Sequence, residues 1–382
     1  HMNNFVFCNP TKLIFGKGTI PGVANEIPKN KKIMITFGSG SVKNNGVYQQ
    51  VIESLKDHNY IEFWGIEPNP TVQTLRKAIS IAKESGVDYL LAVGGGSVLD
   101  GTKLIASAIK YEGDAWDIVK KGYPTNEVIP MGTVLTLPAT GSEMNRGAVI
   151  SNTEKNEKFA FYSNYPVFSI LDPETTFTLP PFQVSCGIAD TFVHVMEQYL
   201  TTTNQSPLMD RWAEGILKTM IETADKVKED SKNYETMATF MLSATMALNG
   251  FISMGVSQDW ATHMIGHELT ALTGITHGAS LAIVLPGTMH VRRDEKREKI
   301  LQYAKRVFDI NEKDEKLAID LAISKTDQFF RTLGLKTKLS ENNINESVIN
   351  IIIERFKNRD VHFGENRQTD YLVIENILKY CK

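Results

Sequence analysis

Two pairs of side chains at helical spacing could hold a metal ion: Asp190 with His194, and His263 with His267, each four positions apart. On a helix such residues project from one face about 6 Å from each other, so both can grip one cation. His277 follows in the predicted turn 274–278, so three of the eight histidines fall within fifteen residues. One carboxylate and several imidazoles suit a borderline divalent ion, with iron, zinc, nickel and cobalt all open, and the pattern includes no thiolate that would favour zinc. In His263-Met264-Ile265-Gly266-His267-Glu268 the glutamate follows the second histidine. Zinc proteases place it beside the first, where it acts on the metal-bound water, so hydrolysis is disfavoured.

A second kind of chemistry is suggested by glycine-rich turns. Gly94-Gly95-Gly96-Ser97 follows a predicted strand at 89–93 and opens a predicted helix at 98–111. Backbone N–H groups and a helix N-terminus can hold phosphate there, and a side chain at Gly95 would occupy the phosphate's place. The run is not G-x-G-x-x-G, so that fingerprint does not carry the assignment. Gly38-Ser39-Gly40-Ser41 makes a similar turn after the strand Lys32–Phe37. Two cradles expected at one edge of a parallel sheet point to a dinucleotide. A third strand end, 136–143, carries Thr140 and Glu143 at capping-box spacing and is also explained as a plain helix start.

These residues need a frame, and the texture of the chain supplies one. The first half alternates apolar runs with helical patterns: strands at Lys12–Phe15, Lys32–Phe37, 60–64, 89–93 and 133–137, helices at 41–57, 72–85 and 98–111, then further strands at 147–150 and Phe168–Leu171. Such alternation predicts a Rossmann-like α/β domain with a mainly parallel sheet. After Pro180-Pro181 the pattern is almost purely helical, at 183–201, 207–228, 234–254, 260–272, 294–308, 315–333 and 346–359. The expected division is therefore an α/β dinucleotide-binding domain at 1–181 and an all-α metal-binding, catalytic domain at 182–382.

Composition narrows the partners. The chain has 382 residues, enough for two domains, and 41 Lys and Arg against 44 Asp and Glu leave a net charge of -3. No whole-molecule field draws it to nucleic acid or an anionic membrane, so a small molecule is the expected partner. Three cysteines, Cys8, Cys186 and Cys381, are too few and too scattered for a disulfide framework, which points to a cytoplasmic compartment. No apolar run approaches the roughly 20 residues that span a bilayer.

Taken in order, 94–100, 136–143, Asp190-x-x-x-His194, His263-x-x-x-His267 and Thr276-His277-Gly278 resemble the signature of the iron-containing (group III) alcohol dehydrogenases, in the branch of butanol dehydrogenases and NADPH-dependent aldehyde reductases. The resemblance implies metal ligands at Asp190, His194, His263 and His277. It also implies an additional active-site histidine at His267, close to the metal without binding it. For the cofactor it implicates Gly38, Ser39, Gly40 and Ser41 at the adenosine ribose, Asn69 nearby, and Gly94, Gly95, Gly96, Ser97 and Asp100 around the pyrophosphate. Thr136 and Thr140 fall toward the nicotinamide, together with Lys158. The implied activity is hydride transfer between NAD(P)H and a small aldehyde or primary alcohol, with Fe(II) as the first choice of metal and Zn(II) or Ni(II) as alternatives. His267 is the candidate proton carrier, since imidazole titrates near working pH; a packed residue that only orients a ligand is the competing assignment. NAD-preferring relatives carry an Asp just after the second strand, where this chain has Gly38-Ser39, and no acid stands between Lys32 and Gln50. NADP(H) is therefore expected over NAD(H). A homodimer is also implied, with strand residues near Phe5–Phe7 pairing across subunits.

Two competing classes explain less. A dehydroquinate-synthase-like lyase would need Lys and Arg for an anionic substrate, and neither 186–199 nor 260–278 contains any. A non-catalytic metal-binding helical protein leaves the glycine-rich turns without a purpose.

Overall fold

The computed structural model describes every residue from His1 to Lys382. It divides into two compact units, Cys8–Pro180 with Val227–Asn249, and His1–Phe7 with Pro181–Lys226 and Gly250–Lys382.

In the α/β unit, strands β1 (Lys12–Phe15), β2 (Lys32–Phe37), β3 (Asn59–Phe63), β4 (Tyr89–Gly95), β5 (Met131–Leu137) and β8 (Phe168–Leu171) form one sheet ordered β1-β8-β5-β4-β2-β3. Every pairing in it is parallel. Helices α1 (Val47–Ser54), α2 (Val72–Glu84), α3 (Gly96–Ala108) and α4 (Ala115–Lys121) belong to the same unit. β4 and β5 are buried almost throughout because a parallel sheet is covered on both faces. Alternate residues of β4 accordingly join different cores: Leu90 and Ala92 pack with Leu99 and Ile105, while Tyr89, Leu91 and Val93 pack with Val47 and Val51. Strands β6 (Gly147–Asn152) and β7 (Glu157–Tyr162) form a separate antiparallel hairpin.

The helical unit contains α5 (Pro181–Tyr199), nearly all of α6 (Pro207–Glu229), α8 (Ala261–Thr273), α9 (His277–Val291), α10 (Arg297–Phe308), α11 (Glu315–Thr332), α12 (Glu346–Asn358) and α13 (Tyr371–Tyr380). The intervening α7 (Tyr234–Met246) belongs to the α/β unit, where Met241 is buried in the same core as Leu99 and Ile150. The boundary after Pro180 thus accompanies two exchanges that an undivided 1–181/182–382 scheme omits: residues 1–7 belong with the helical unit and 227–249 with the α/β unit.

Several expected elements differ in extent. The helix anticipated at 41–57 is a short 3-10 turn, Ser41–Lys43, followed by α1, because Gly46 takes a left-handed φ of 81° between them. The one anticipated at 234–254 stops at Met246, and Gly250 and Gly255 follow with φ of 95° and 74°. Pro181 does not end structure but begins α5, since the first helical turn has no use for the missing N–H. No strand forms at Phe5–Phe7 within the chain, and Val6 is 95% exposed.

Candidate functional site

The order of the parallel sheet reverses between β2 and β4, and in doubly wound sheets such a switch point opens a crevice beyond the strands' carboxyl ends. Phe37 pairs with Val93, so the turns that start at Gly38 and Gly94 leave adjacent strands at one level. Both lean on the same side chain: a Cβ at Gly38 would lie 3.5 Å from Val98 Cγ2, and one at Gly94 2.7 Å from it. Gly40 at φ 127° and Gly94 at φ 157° hold conformations that other residues rarely adopt. No side chain caps α3, leaving its first N–H groups to face the turn.

The neighbouring glycines also allow close packing against the end of β5 and the segment after it. A Cβ on Gly95 would come within 3.1 Å of Leu137 Cβ, and one on Gly96 within 2.4 Å of Thr140 Oγ1. A branched residue at Gly95 is therefore opposed by the end of β5, before any phosphate enters the account. Thr140 is half-buried and Thr136 buried in this segment, while Ser39 and Ser41 are exposed.

Three of the expected cofactor residues meet. Asn69, at φ 58°, donates its N–H to Ser97 Oγ at 3.3 Å, and buried Lys158 donates from Nζ to Asn69 Oδ1 at 2.7 Å. Asp100 is turned to the protein instead: Ser142 Oγ donates to Oδ1 at 2.7 Å and the Val149 N–H to Oδ2 at 3.0 Å. One turn on, Lys103 is fully buried and donates to the carbonyls of Ser142, Asn145 and Gly147 at 2.8–2.9 Å. Burial pulls its pKa down to about 8 although Asp100 and Glu143 oppose the shift. Together Asp100 and Lys103 tether the segment that contains Thr140. The sign of Lys103 in the sequence is a lysine three positions from an aspartate in an otherwise uncharged helix.

In the helical unit, Asp190, His194, His263 and His277 converge, their ligand atoms all within 4.8 Å of one another. Asp190 Oδ1 lies 3.1 Å from His277 Nε2, 3.3 Å from His194 Nε2 and 3.5 Å from His263 Nε2. The first three of these residues are buried; the His277 side chain keeps 21% exposure, which leaves one side of the group open. His277 is not in a turn as expected but is the first residue of α9. It reaches the site because Gly278 has no side chain: a Cβ there would stand 2.3 Å from the Cys186 carbonyl oxygen, so α9 lies directly against α5. Gly266 likewise lets α8 approach Ser280 of α9, where a Cβ would meet Oγ at 2.8 Å.

Burial pushes the Asp190 carboxyl upward, but the His194 and His277 imidazoles more than offset it and hold the group well below the usual range. Burial carries His194 down to about 3. His263 is drawn down by burial yet raised overall to about 9 by its bonds to Asp190 and Glu197. Buried oxygens and ring nitrogens at these separations need a cation or a proton among them to offset their repulsion, and the donor set matches a divalent ion of the iron or zinc type.

His267 stands beside this group and not in it, its ring centroid 5.5 Å from that of His277 and 6.3 Å from that of His263. Trp260, in a left-handed conformation at the head of α8, sets its ring edge-on to His263 at 5.0 Å. Phe251 packs against Phe7, their ring centroids 5.1 Å apart. Glu197 was not anticipated: Oε2 accepts from His263 Nδ1 at 3.2 Å. It follows Asp190 and His194 at spacings of seven and three on one helix face, which is the sign that could have exposed it.

Residues 10–173 match the model of the iron-containing alcohol dehydrogenases and residues 184–381 that of the C-terminal part of the same family. The chain belongs to the iron-containing alcohol dehydrogenase family. It is 49% identical over 371 residues to an NADPH-dependent aldehyde reductase, YqhD, of Escherichia coli (strain K12), covering 96% of each chain. It is 43% identical to a probable NADH-dependent butanol dehydrogenase 1 of Bacillus subtilis (strain 168), covering 99% of each. The crystal structure of E. coli K-12 YqhD superposes with a TM-score of 0.97 at 47% identity, covering 100% of this chain and 99% of that one.

Proposed function

We propose that this protein interconverts a small aldehyde and its primary alcohol, exchanging a hydride with NADP(H) at a metal centre held by Asp190, His194, His263 and His277. The observation that carries this is the convergence of those four ligand atoms in a chain of this family. The ion, Fe(II) by preference with Zn(II) or Ni(II) as alternatives, supplies Lewis acidity toward the substrate oxygen. The nicotinamide supplies or receives the hydride. One carboxylate and three imidazoles orient the ion, and the partial exposure of His277 marks the side from which substrate arrives. His267 passes the proton that the alcohol oxygen gains or loses.

The dinucleotide's pyrophosphate is assigned to Gly94–Ser97 at the head of α3, and its adenosine ribose to Gly38–Ser41 with Asn69 and Lys158 nearby. Thr136 and Thr140 border the nicotinamide. Asp100 serves this site through its tether to Ser142. The relatives' names divide between NADPH and NADH, so the preference for NADP(H) rests on the loop itself. Two hydroxyls and several N–H groups stand there with no carboxylate to repel a 2′-phosphate. Loading the protein with Fe(II) and supplying butyraldehyde with NADPH or NADH tests the whole assignment. Metal-dependent loss of the reduced-nicotinamide absorbance, faster with NADPH, is expected; no turnover with either cofactor removes the function, and a faster rate with NADH removes the preference.

The exposed apolar stretch Phe5–Phe7 supports a homodimer in which this segment pairs with a second copy, and three free cysteines without a disulfide fit a cytoplasmic enzyme. Sedimentation is expected to give a dimer at micromolar concentration, and a purely monomeric boundary refutes it.

A further inference from the structure

We infer that Glu197 is a positioning residue for the metal centre, holding His263 in its ligating form and supplying the second negative charge that a buried divalent ion requires. The inference rests on the metal-site assignment above. A single oxygen, Oε2, accepts twice from His263: from the backbone N–H at 3.0 Å and from Nδ1 at 3.2 Å. An imidazole that donates from Nδ1 keeps its lone pair on Nε2, and Nε2 is the atom that joins the ligand group. Ring orientation and tautomer are thus set by one carboxylate.

The same contact secures the helix that carries the ligand. Trp260 gives α8 no side-chain cap, and His263 is its third residue, so Glu197 satisfies an N–H of the first turn from the neighbouring α5. Its own carbonyl accepts the Asp259 N–H at 2.9 Å, which fixes the chain just ahead of that turn. The negative charge also sits at the positive end of α8.

Electrostatics give the second role. Asp190 is the one anion among the four ligands, so a divalent ion there would bring an excess positive charge into a buried site. Glu197 is 4% exposed and reaches the site through one imidazole, and with Asp190 it balances the ion. Carboxylates placed this way raise the basicity of the ligating ring, and their loss weakens metal binding by about 10–100-fold.

Two variants separate the roles, with Co(II) as the probe. Glu197→Gln retains an acceptor oxygen and removes the charge; Glu197→Leu removes both. Co(II) affinity, measured by competition with a chelator, is expected to fall about tenfold in the first and about a hundredfold in the second. The visible Co(II) bands should keep their shape in Glu197→Gln, and the metal-free melting temperature of that variant should match the parent's. If Glu197→Gln binds Co(II) within twofold of the parent, the charge-balancing role is wrong, and this arm stands even if Glu197→Leu fails to fold. Failure of the parent itself to bind Co(II), with the same result for His277→Ala, overturns the metal-site assignment and not Glu197 alone.

Discussion

At the scale of single residues, the helical unit concentrates its chemistry on one oxygen, Asp190 Oδ1, which faces three imidazoles within 3.5 Å. His277 is the most exposed of the three, while His194 and His263 are buried. Replacing His277 with Ala is expected to strip most of the metal and lower turnover at least a hundredfold while leaving the fold intact, since Lewis acidity is worth several kcal/mol. Metal analysis beside circular dichroism checks this, and a metal-free variant with full activity would sink the assignment. In the other unit, Gly38 is the residue that tests cofactor choice. A side chain fits there, its Cβ 3.5 Å from both the Ile66 carbonyl oxygen and Val98 Cγ2. Gly38→Asp is therefore expected to fold and to shift the kcat/KM ratio toward NADH by tenfold or more, because a like-charge contact costs about 1–4 kcal/mol at this range. An unchanged ratio would mean that the 2′-phosphate lies elsewhere.

At the scale of elements, each unit relies on glycines that let neighbouring segments approach closely. Gly278 is the sharper case, because the atom in its way is a main-chain carbonyl that cannot swing aside. Gly278→Ala is expected to destabilise the protein by about 1–3 kcal/mol. It also displaces His277 from Asp190, so Co(II) affinity should fall together with the melting temperature. Normal metal binding in a destabilised variant would separate packing from ligation and refute this account. Helix α9 itself was missed for a related reason: it is buried on all sides from Gly278 to Met289, and a helix without a polar face leaves no amphipathic period. Pro286 inside it argues further against a helix in any local rule. The hairpin β6–β7 was half legible, since its second strand, 157–162, opens with two charges, of which Lys158 is buried.

At the scale of the whole molecule, stability carries the cost of charges buried to shape the α/β unit. Glu143 is fully buried, and burial lifts its pKa from 4.5 to about 7. Between these values the unfolded chain has released the proton that the folded chain retains, so folding loses stability as pH rises through the window. Above about pH 7 the loss is complete. Glu143→Gln removes the titration, so its stability relative to the parent should improve by up to about 3 kcal/mol between pH 4.5 and pH 8. Urea unfolding at both pH values measures it; a pH-independent difference would show that Glu143 keeps its ordinary acidity. The same scale holds the two exchanges between units, in which residues 1–7 and 227–249 leave the region their sequence position suggests.

Local order decided much by itself. Apolar runs ended by glycine in β2 and β4 and by proline in β5 marked those strands, because a strand buried on both faces leaves that trace, and the two glycine turns could be placed at one sheet edge from sequence alone. Spacing of four put Asp190 with His194 on one helix face, because helical geometry depends on separation alone. The convergence of all four proposed ligands could not be derived this way. His277 joins residues more than eighty positions earlier only through the contact of α9 with α5, and Glu197 meets His263 across 66 positions. Asp100 and Lys103 serve the loop that follows β5 for the same reason. A hydrogen bond depends on which surfaces pack together, and packing is decided by volume, burial and the absence of a Cβ at a few positions, none of which periodicity records.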